Sequence, residues 1–256
     1  MSEIGRWARG TCVHGALAAY RGRRNTSRAL RKSGLDAYFD TGLKRRVMSG
    51  DLLSLEEMRD KYERAWEGIV DDCVTGNDLE NILAHLEPSS KTCLEVGCGA
   101  GRVAIEIAKT GREVTGSDIS LIALRYAKER AEEAGVSIGL AEAAVEKLPF
   151  PDRAFDAVIC AHTLEHVQDL GIAVAELTRV AARQLIVIVP REDRVSEFGT
   201  DYHLQCFPTP DALSAAIPLE QFECFVECVE NPQWHGEYVF YSGRAPEPKA
   251  ERARRR

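Results

Sequence analysis

The sequence predicts an α/β protein with a doubly wound, mostly parallel seven-stranded sheet, an antiparallel edge strand and a helical N-terminal extension. Two observations carry this prediction. From residue 91 onward, apolar strand-like segments alternate with helical ones, a pattern typical of a parallel sheet with helices on both faces. The run Gln184–Val189 is apolar after its first residue, which suits a strand buried on both faces.

The expected elements follow one another at short intervals. We expect strands at about 92–96, 112–117, 136–141, 155–161, 184–189, 221–230 and 236–243. We expect helices at about 101–110, 120–134 and 169–181, and a short one to about 217 that starts with Thr209 as N-cap and Pro210 at the first position. The last two strands lie close together along the chain, so we expect them to pair antiparallel and close one edge of the sheet.

Residues 1–90 are predicted to form a basic helical extension that covers an acceptor pocket. Ser54 followed by Glu57 is a capping-box pattern and marks a helix start. Four apolar side chains then share one helical face, those of Leu55, Met58, Tyr62 and Trp66. We expect Tyr62 and Trp66 to line the acceptor pocket, although plain helix packing is an open alternative for both. Residues 91–244 would form the main domain and 245–256 a disordered basic tail.

Composition excludes several classes of protein. Hydrophobic residues make up 45% and charged residues 29%, which argues against disordered and fibrous architectures. No apolar run approaches the roughly 18–20 residues that span a bilayer, and the chain start has no long apolar segment of a secretory signal. The eight cysteines lack paired short spacings, so we expect reduced, mostly buried thiols in a cytoplasmic protein and no metal site.

Charge is distributed unevenly along the chain. Residues 1–48 hold eleven Lys/Arg and three Asp/Glu, a net charge of +8, whereas the whole chain carries −7. A basic arm on an acidic body can contact phosphates or anionic lipid, but the favoured interpretation is a solvated helical surface. Binding of nucleic acid through this arm is therefore possible and not favoured, and an organellar presequence is a weaker alternative.

The first predicted strand runs into a glycine-rich turn. Glycines at 97, 99 and 101 let the backbone approach a ligand without obstruction by a Cβ atom, and the next helix offers N–H groups to an anion. A dinucleotide fingerprint would require glycine at 102, where Arg102 stands. Asp118 ends the second strand, where a carboxylate can accept both ribose hydroxyls of an adenosine ligand.

Further stretches follow in a recognisable order. They are Glu146-Lys147-Leu148-Pro149-Phe150, then Phe155-Asp156, then Leu164-Glu165-His166-Val167. Together with Leu94–Gly101 and Asp118, they resemble the motifs of class I S-adenosylmethionine-dependent methyltransferases, which have a Rossmann-like fold. The subgroup is similar to small-molecule enzymes that include quinone-biosynthesis methyltransferases, and the resemblance covers about 90–243.

The resemblance implies a cofactor site. Gly97, Cys98, Gly99 and Gly101 would cradle the methionine part of S-adenosylmethionine, with Glu95 near its ammonium group. Asp118 would hold the ribose and Ile119 would pack on adenine. The remaining cofactor-binding positions would be Ala144, Val145 and Cys160. This chain departs from the family at Ala144, where an Asp is common, so recognition of the adenine amine is in question.

Methyl transfer is an in-line displacement in which the protein mainly positions the acceptor, and a base is needed only if the acceptor must lose a proton. The candidate bases are His162, His166 and His203, and each could instead be structural or shape the substrate site. The long polar segment 191–208 suits a lid over a small-molecule acceptor, with Arg191, Tyr202 and His203 as substrate-binding candidates.

Three rival functions remain open from the sequence. The first is methylation of RNA or protein, which the basic arm suggests; the second is a nicotinamide oxidoreductase, which Arg102 disfavours. The third is a non-catalytic cofactor-binding subunit. The accepting atom and the oligomeric state are not determined by the sequence.

Overall fold

The computed structural model describes residues 53–67, 77–192, 196–198, 201–230 and 235–246. The basic arm 1–48 and residues 247–256 of the predicted tail lie outside this part of the chain. The described helices are α1 Leu55–Glu67, α2 Asp78–His85, α3 Arg102–Lys109, α4 Leu121–Glu133, α5 Leu170–Val180 and α6 Pro210–Ala216, with a 3-10 turn at Leu164–His166. The described strands are β1 Thr92–Val96, β2 Glu113–Asp118, β3 Gly139–Glu142, β4 Phe155–Ala161, β5 Ala181–Pro190, β6 Ser196–Phe198, β7 Asp201–His203, β8 Glu220–Glu230 and β9 His235–Arg244.

Seven of these strands form one mixed sheet, in the order β3-β2-β1-β4-β5-β9-β8. Strands β1 to β5 are parallel, and β9 runs antiparallel to both β5 and β8. The predicted fold class is therefore confirmed. The antiparallel strand is β9, which lies one position inside the edge of the sheet, and β8 forms the edge itself. Because the order reverses between β1 and β4, the carboxyl ends of these strands frame a crevice, which is where open α/β sheets bind ligands.

The predicted helix starts agree with the structure. Ser54 N donates to Glu57 Oε2 at 2.8 Å, and Glu57 N donates to Ser54 Oγ at 3.2 Å, so the capping box opens α1. The Thr209 side chain caps α6, and Pro210 takes its first position. The expected apolar stripe on α1 is only partly correct, because Leu55 is 49% exposed whereas Lys61 is buried.

The segment after β5 contains two short strands that were not predicted, because its sequence shows no periodic pattern of apolar residues. Strands β6 and β7 form a separate two-stranded antiparallel sheet. The residues after β7 are held to the 3-10 turn, since Leu204 N and Gln205 N both donate to the carbonyl oxygen of Glu165, at 2.6 and 3.0 Å. This pairing brings the segment to the carboxyl edge of the sheet. In the part of the chain that is described, no helix has the length and apolar character to cross a membrane.

The start of β1 is tied to β4 by Asp156, at the amino end of the sheet. Asp156 Oδ2 accepts hydrogen bonds from Lys91 N at 2.8 Å and Thr92 N at 3.2 Å. These backbone donors, the Lys91 amide first, hold the pKa of the Asp156 carboxyl below its ordinary value. A depressed pKa means that this stabilisation is present above the unfolded-state pKa and is lost as pH falls through the folded-state value.

We therefore expect Asp156→Asn to destabilise the fold at pH 7 and to have a smaller effect near pH 3, where a larger fraction of the wild-type carboxyl is protonated. Urea denaturation of both proteins at the two pH values measures the difference. Asp152→Asn is the control, because the Asp152 side chain is 77% exposed and its ion pair should contribute only about 0–1 kcal/mol. An equal Asp156→Asn effect at both pH values would contradict the assignment.

Candidate active site at the carboxyl edge of the sheet

The turn between β1 and α3 is a glycine loop whose close neighbours are protein side chains. Gly97, Gly99 and Gly101 have φ values of +72°, +52° and +80°, a region that glycine adopts without steric cost. A Cβ atom on Gly97 would lie 2.1 Å from Thr163 Oγ1, and one on Gly99 would lie 2.8 Å from the indole of Trp66. The loop backbone is thus enclosed by the end of β4 on one side and by α1 on the other.

Cys98 contributes to this loop through its size. Its side chain is buried, and its Sγ atom would lie 2.8 Å from a Cβ atom placed on Gly116 of β2. Gly97 N and Cys98 N donate to the carbonyl oxygen of Ser117, at 2.8 and 2.9 Å, which fastens the loop to the same strand. A larger residue at either Cys98 or Gly116 would push the loop away from the sheet.

Glu95 has a structural partner that the sequence did not reveal. Its carboxylate is buried, and Oε2 accepts a hydrogen bond from Ala104 N at 2.7 Å. The N-cap residue of α3 is Gly101, which has no side chain to cap the helix, so Glu95 satisfies one of the unpaired N–H groups at the helix start. Its predicted place near the cofactor's ammonium group stays a prediction.

Asp118 connects the loop to the next helix. Asp118 Oδ2 accepts from Gly99 N and Oδ1 accepts from Ser120 N, both at 2.9 Å. The residue is 9% exposed. Each carboxylate oxygen has two acceptor sites, so both backbone bonds can persist while the same oxygens accept ribose hydroxyls. The geometry suits the predicted ribose role.

A cavity of about 250 Å³ adjoins Asp118, whose carbonyl oxygen accepts from the lining residue Ala143 at 2.9 Å. Its lining residues are Leu55, Arg59, Ile119, Glu142, Ala143 and Ala144. Ile119 and Ala144 therefore stand together, as expected of the adenine end of the site. Val145 is buried in the main core cluster, and Cys160 is fully buried in β4, where burial raises the pKa of its thiol far above the ordinary value. A thiol in that state is an inert packing group at neutral pH.

Arg102, which replaces the third glycine of a dinucleotide fingerprint, pairs with a buried carboxylate. Asp78 of α2 has no exposed surface, and both of its oxygens bond the Arg102 guanidinium, Nη1 to Oδ1 at 3.3 Å and Nη2 to Oδ2. His162 Nε2 lies 3.7 Å from Asp78 Oδ2. The loop is thereby tied to a helix that precedes the predicted domain boundary at residue 91.

His162 is held in an unusual backbone conformation, with φ +53° and its N–H donating to the carbonyl of Ile188 at 2.8 Å. Burial holds the pKa of its imidazole below the ordinary value, and nearby Glu165 and Asp78 oppose that shift. Burial thus favours the neutral form of this imidazole, which lies beside the buried Asp78 carboxylate.

Four side chains form what we call the histidine cluster: Glu165, His166, Glu192 and His203. The imidazole rings of His166 and His203 lie 5.0 Å apart between centroids in an edge-on arrangement. Glu192 Oε2 lies 2.6 Å from His203 Nδ1, and Glu165 Oε1 lies 3.8 Å from His166 Nε2. The Tyr62 ring of α1 meets the His166 ring edge-on at 6.1 Å.

Sequence reasoning singled out the two histidines of this cluster and missed both carboxylates. Glu165 is buried, and its Oε2 has no hydrogen-bond partner among the described residues. Glu165, His166 and His203 bring one donor atom each within 4.8 Å of one another, a set that could also hold a divalent metal ion. Spacing along the chain did not reveal the set, because His203 lies in a segment that is distant in sequence from Glu165 and His166.

Two other substrate-binding candidates have different surroundings. Arg191 donates from Nε to the carbonyl of Pro208 at 2.9 Å and forms an ion pair with Glu237 of β9, so its guanidinium holds the segment after β5 to the sheet. Tyr202 belongs to β7, but its side chain lies outside the described residues. The roles assigned to Arg191, Tyr202, Tyr62 and Trp66 in substrate binding stay predictions.

Comparison with known proteins defines the class of this protein. Residues 94–189 match a family profile described as a methyltransferase domain. A demethylmenaquinone methyltransferase of Thermus thermophilus is 37% identical over 168 residues, covering 54% of this chain and 76% of that protein. The chain belongs to the class I S-adenosylmethionine-dependent methyltransferase family, and S-adenosylmethionine is its cofactor.

Other curated relatives match over a smaller part of their length. A ubiquinone biosynthesis O-methyltransferase of Alkalilimnicola ehrlichii is 38% identical over 122 residues, which cover 45% of this chain and 49% of that protein. A second protein of the same description, from Methylococcus capsulatus, is 34% identical over 151 residues and is covered to 64%. The chain thus spans between about half and two thirds of these two relatives.

Solved structures agree on the fold. The structure of the [4+2]-cyclase SpnF has a TM-score of 0.59 at 19% identity, over 76% of this chain and 97% of that chain. A structure concerned with the conversion of a disulfide bond into a thioacetal group during echinomycin biosynthesis has a TM-score of 0.61 at 17% identity, over 77% and 97%. At these identities the likeness concerns the fold alone, and the first example is described as a cyclase.

Proposed function

We propose that this chain transfers the methyl group of S-adenosylmethionine to a hydroxyl oxygen of a small aromatic acceptor of the quinone-precursor type, by in-line displacement. The observation that carries the proposal is the histidine cluster, which stands at the carboxyl edge beside Thr163 and the glycine loop. The names of the relatives support the acceptor class. When bound, the cofactor supplies an electrophilic methyl group, so the protein must orient the acceptor and remove the proton of its hydroxyl group.

A phenolic hydroxyl has an ordinary pKa near 10, so it is a weak nucleophile at neutral pH unless a base takes its proton. The bond between Glu192 and His203 Nδ1 fixes one tautomer of that imidazole, so that Nε2 is the nitrogen able to take a proton. We assign proton removal to Nε2 of His203, an orienting role to His166, whose ring packs edge-on against that of His203, and a packing role to His162, whose Nε2 faces Asp78.

The test uses the full chain with S-adenosylmethionine and two acceptor probes, a short-chain 3,4-dihydroxy-5-prenylbenzoate and a short-chain demethylmenaquinol. We expect a product that carries one more methyl group than the dihydroxybenzoate, with kcat lower by about 10²–10⁴-fold in His203→Ala, as for other general bases, and a smaller loss in His166→Ala. Affinity for S-adenosylhomocysteine should be unchanged in both variants, since the cluster is assigned to the acceptor.

His85→Ala is the matched control, because His85 packs on Phe240 at the end of α2 and is a histidine outside the cluster. Methylation of a carbon of the demethylmenaquinol alone would contradict the hydroxyl assignment. Methylation of total RNA or protein, with neither aromatic probe modified, would overturn the acceptor class and favour a role for the basic arm. The proposal keeps the cytoplasmic location that the reduced cysteines suggested.

A further inference from the structure

The cavity beside Asp118 is closed on one side by a helix that lies outside the matched methyltransferase domain. Leu55 and Arg59 of α1 line it together with four residues at the carboxyl ends of β2 and β3. Its volume of about 250 Å³ is below the roughly 300–1,000 Å³ of pockets that hold a whole drug-sized ligand. The cavity therefore suits one part of the cofactor, and Ile119, directly after Asp118, places it at the adenine end.

The lining offers few groups that could recognise a purine amine. Ala143 and Ala144 present methyl groups, whereas Glu142 presents a carboxylate, which accepts hydrogen bonds. Arg59 Nη2 lies 2.7 Å from Glu142 Oε1, with the two side chains 46% and 34% exposed. This ion pair holds a planar guanidinium at the cavity wall and leaves the second carboxylate oxygen of Glu142 as a candidate acceptor.

Helix α1 is anchored firmly enough to form part of a binding site. Both oxygens of Glu63 accept from the start of α4, from Leu121 N at 2.6 Å and from Ile122 N at 3.2 Å. These are two of the N–H groups that a helix start leaves without an internal partner, and a carboxylate there is favoured by the helix dipole. Gln168 bonds both backbone groups of Leu53, with Nε2 donating to the carbonyl oxygen at 2.8 Å.

We propose that α1 completes the adenine subsite of the S-adenosylmethionine site. Arg59 covers the outer face of the purine ring by guanidinium stacking, and Glu142, held by Arg59, accepts a hydrogen bond from the exocyclic amine. Guanidinium groups stack on planar π-systems, which an ammonium group cannot do in the same way. This inference concerns the cofactor, so its failure would leave the proposed acceptor chemistry untouched.

Calorimetric titration of the full chain with S-adenosylhomocysteine and with 5′-methylthioadenosine tests the proposal. We expect Arg59→Ala to raise the dissociation constants of both ligands about tenfold, because both contain adenine. Arg64→Ala is the matched control, since Arg64 lies on the same helix, away from the cavity lining, and its Nε donates to the Asp60 carbonyl one turn earlier at 3.1 Å; this variant should leave both constants unchanged. Urea denaturation checks that each variant is folded.

Two further variants separate stacking from simple anchoring of the helix. Arg59→Lys keeps the charge opposite Glu142, so wild-type affinity in that variant would overturn the stacking role. Glu142→Gln should reduce the preference of the site for S-adenosylhomocysteine over S-inosylhomocysteine, which lacks the exocyclic amine. An unchanged preference would overturn the role of Glu142. If the Arg59→Ala variant bound both adenine ligands with wild-type affinity, the whole subsite assignment would be overturned.

Discussion

Asp118→Asn is expected to raise the dissociation constant of S-adenosylmethionine by about two orders of magnitude. The substitution keeps the shape of the side chain but replaces one acceptor oxygen by an NH₂ donor, which must then face Gly99 N, Ser120 N or a ribose hydroxyl. Hydrogen bonds to charged groups contribute about 1.5–3 kcal/mol each, and every 1.4 kcal/mol is tenfold in affinity. Calorimetric titration measures the loss directly.

The expected loss has two sources, because Asp118 holds the glycine loop through Gly99 N and is also predicted to bind the ribose. Asp156→Asn controls for the general loss of a carboxylate that accepts from two backbone amides, because Asp156 does so at the opposite end of the parallel strands. That variant should lose stability and keep its affinity for the cofactor. Wild-type affinity in Asp118→Asn would remove Asp118 from the ribose site.

Arg102→Ala is expected to lower the free energy of unfolding by about 3–5 kcal/mol, the cost of leaving a buried carboxylate without its partner. Asp78 has no exposed surface, and the guanidinium bonds both of its oxygens, so truncation leaves the charge in the interior. A typical domain is stable by only about 5–15 kcal/mol, so the loss should be obvious in urea denaturation.

Lys109→Ala on the same helix is the matched control for this effect. Its ion pair with Glu106 is solvent-exposed, 45% and 36% for the two side chains, and should contribute about 0–1 kcal/mol. The double variant Asp78→Leu with Arg102→Met should recover much of the lost stability, because it removes both charges together. If Arg102→Ala lowered the free energy of unfolding no more than Lys109→Ala, the buried ion pair would not be an essential link between α2 and the loop.

These experiments probe parts of the site that differ in how far the sequence predicted them. The glycine loop and Asp118 could be assigned from local patterns, because a strand, a tight turn and a helix start impose their own residue requirements. The parallel pairing of the first five strands also followed, since strands that alternate with helices are joined by crossovers that favour a parallel sheet. The capping box at Ser54 could also be predicted, because it too depends on residues that are close together along the chain.

Other parts depend on contacts between distant segments. The surface on which α1 lies decides which of its side chains are buried. Helical periodicity alone placed Leu55 on the buried face, whereas Lys61 is buried and Leu55 is exposed. Strands β6 and β7 are too short to show alternation, so their pairing could not be predicted from the pattern of residues.

The sequence by itself therefore determined the family, the cofactor and the glycine loop after β1, because short-range residue spacing is enough to identify them. Only the tertiary structure decided that Glu165 and Glu192 join the two histidines, that Arg102 neutralises Asp78, and that Arg59 reaches Glu142. The physical reason is common to all three. Charged and titratable side chains become a site only when folding brings their partners within hydrogen-bond distance, and a linear spacing does not encode that distance.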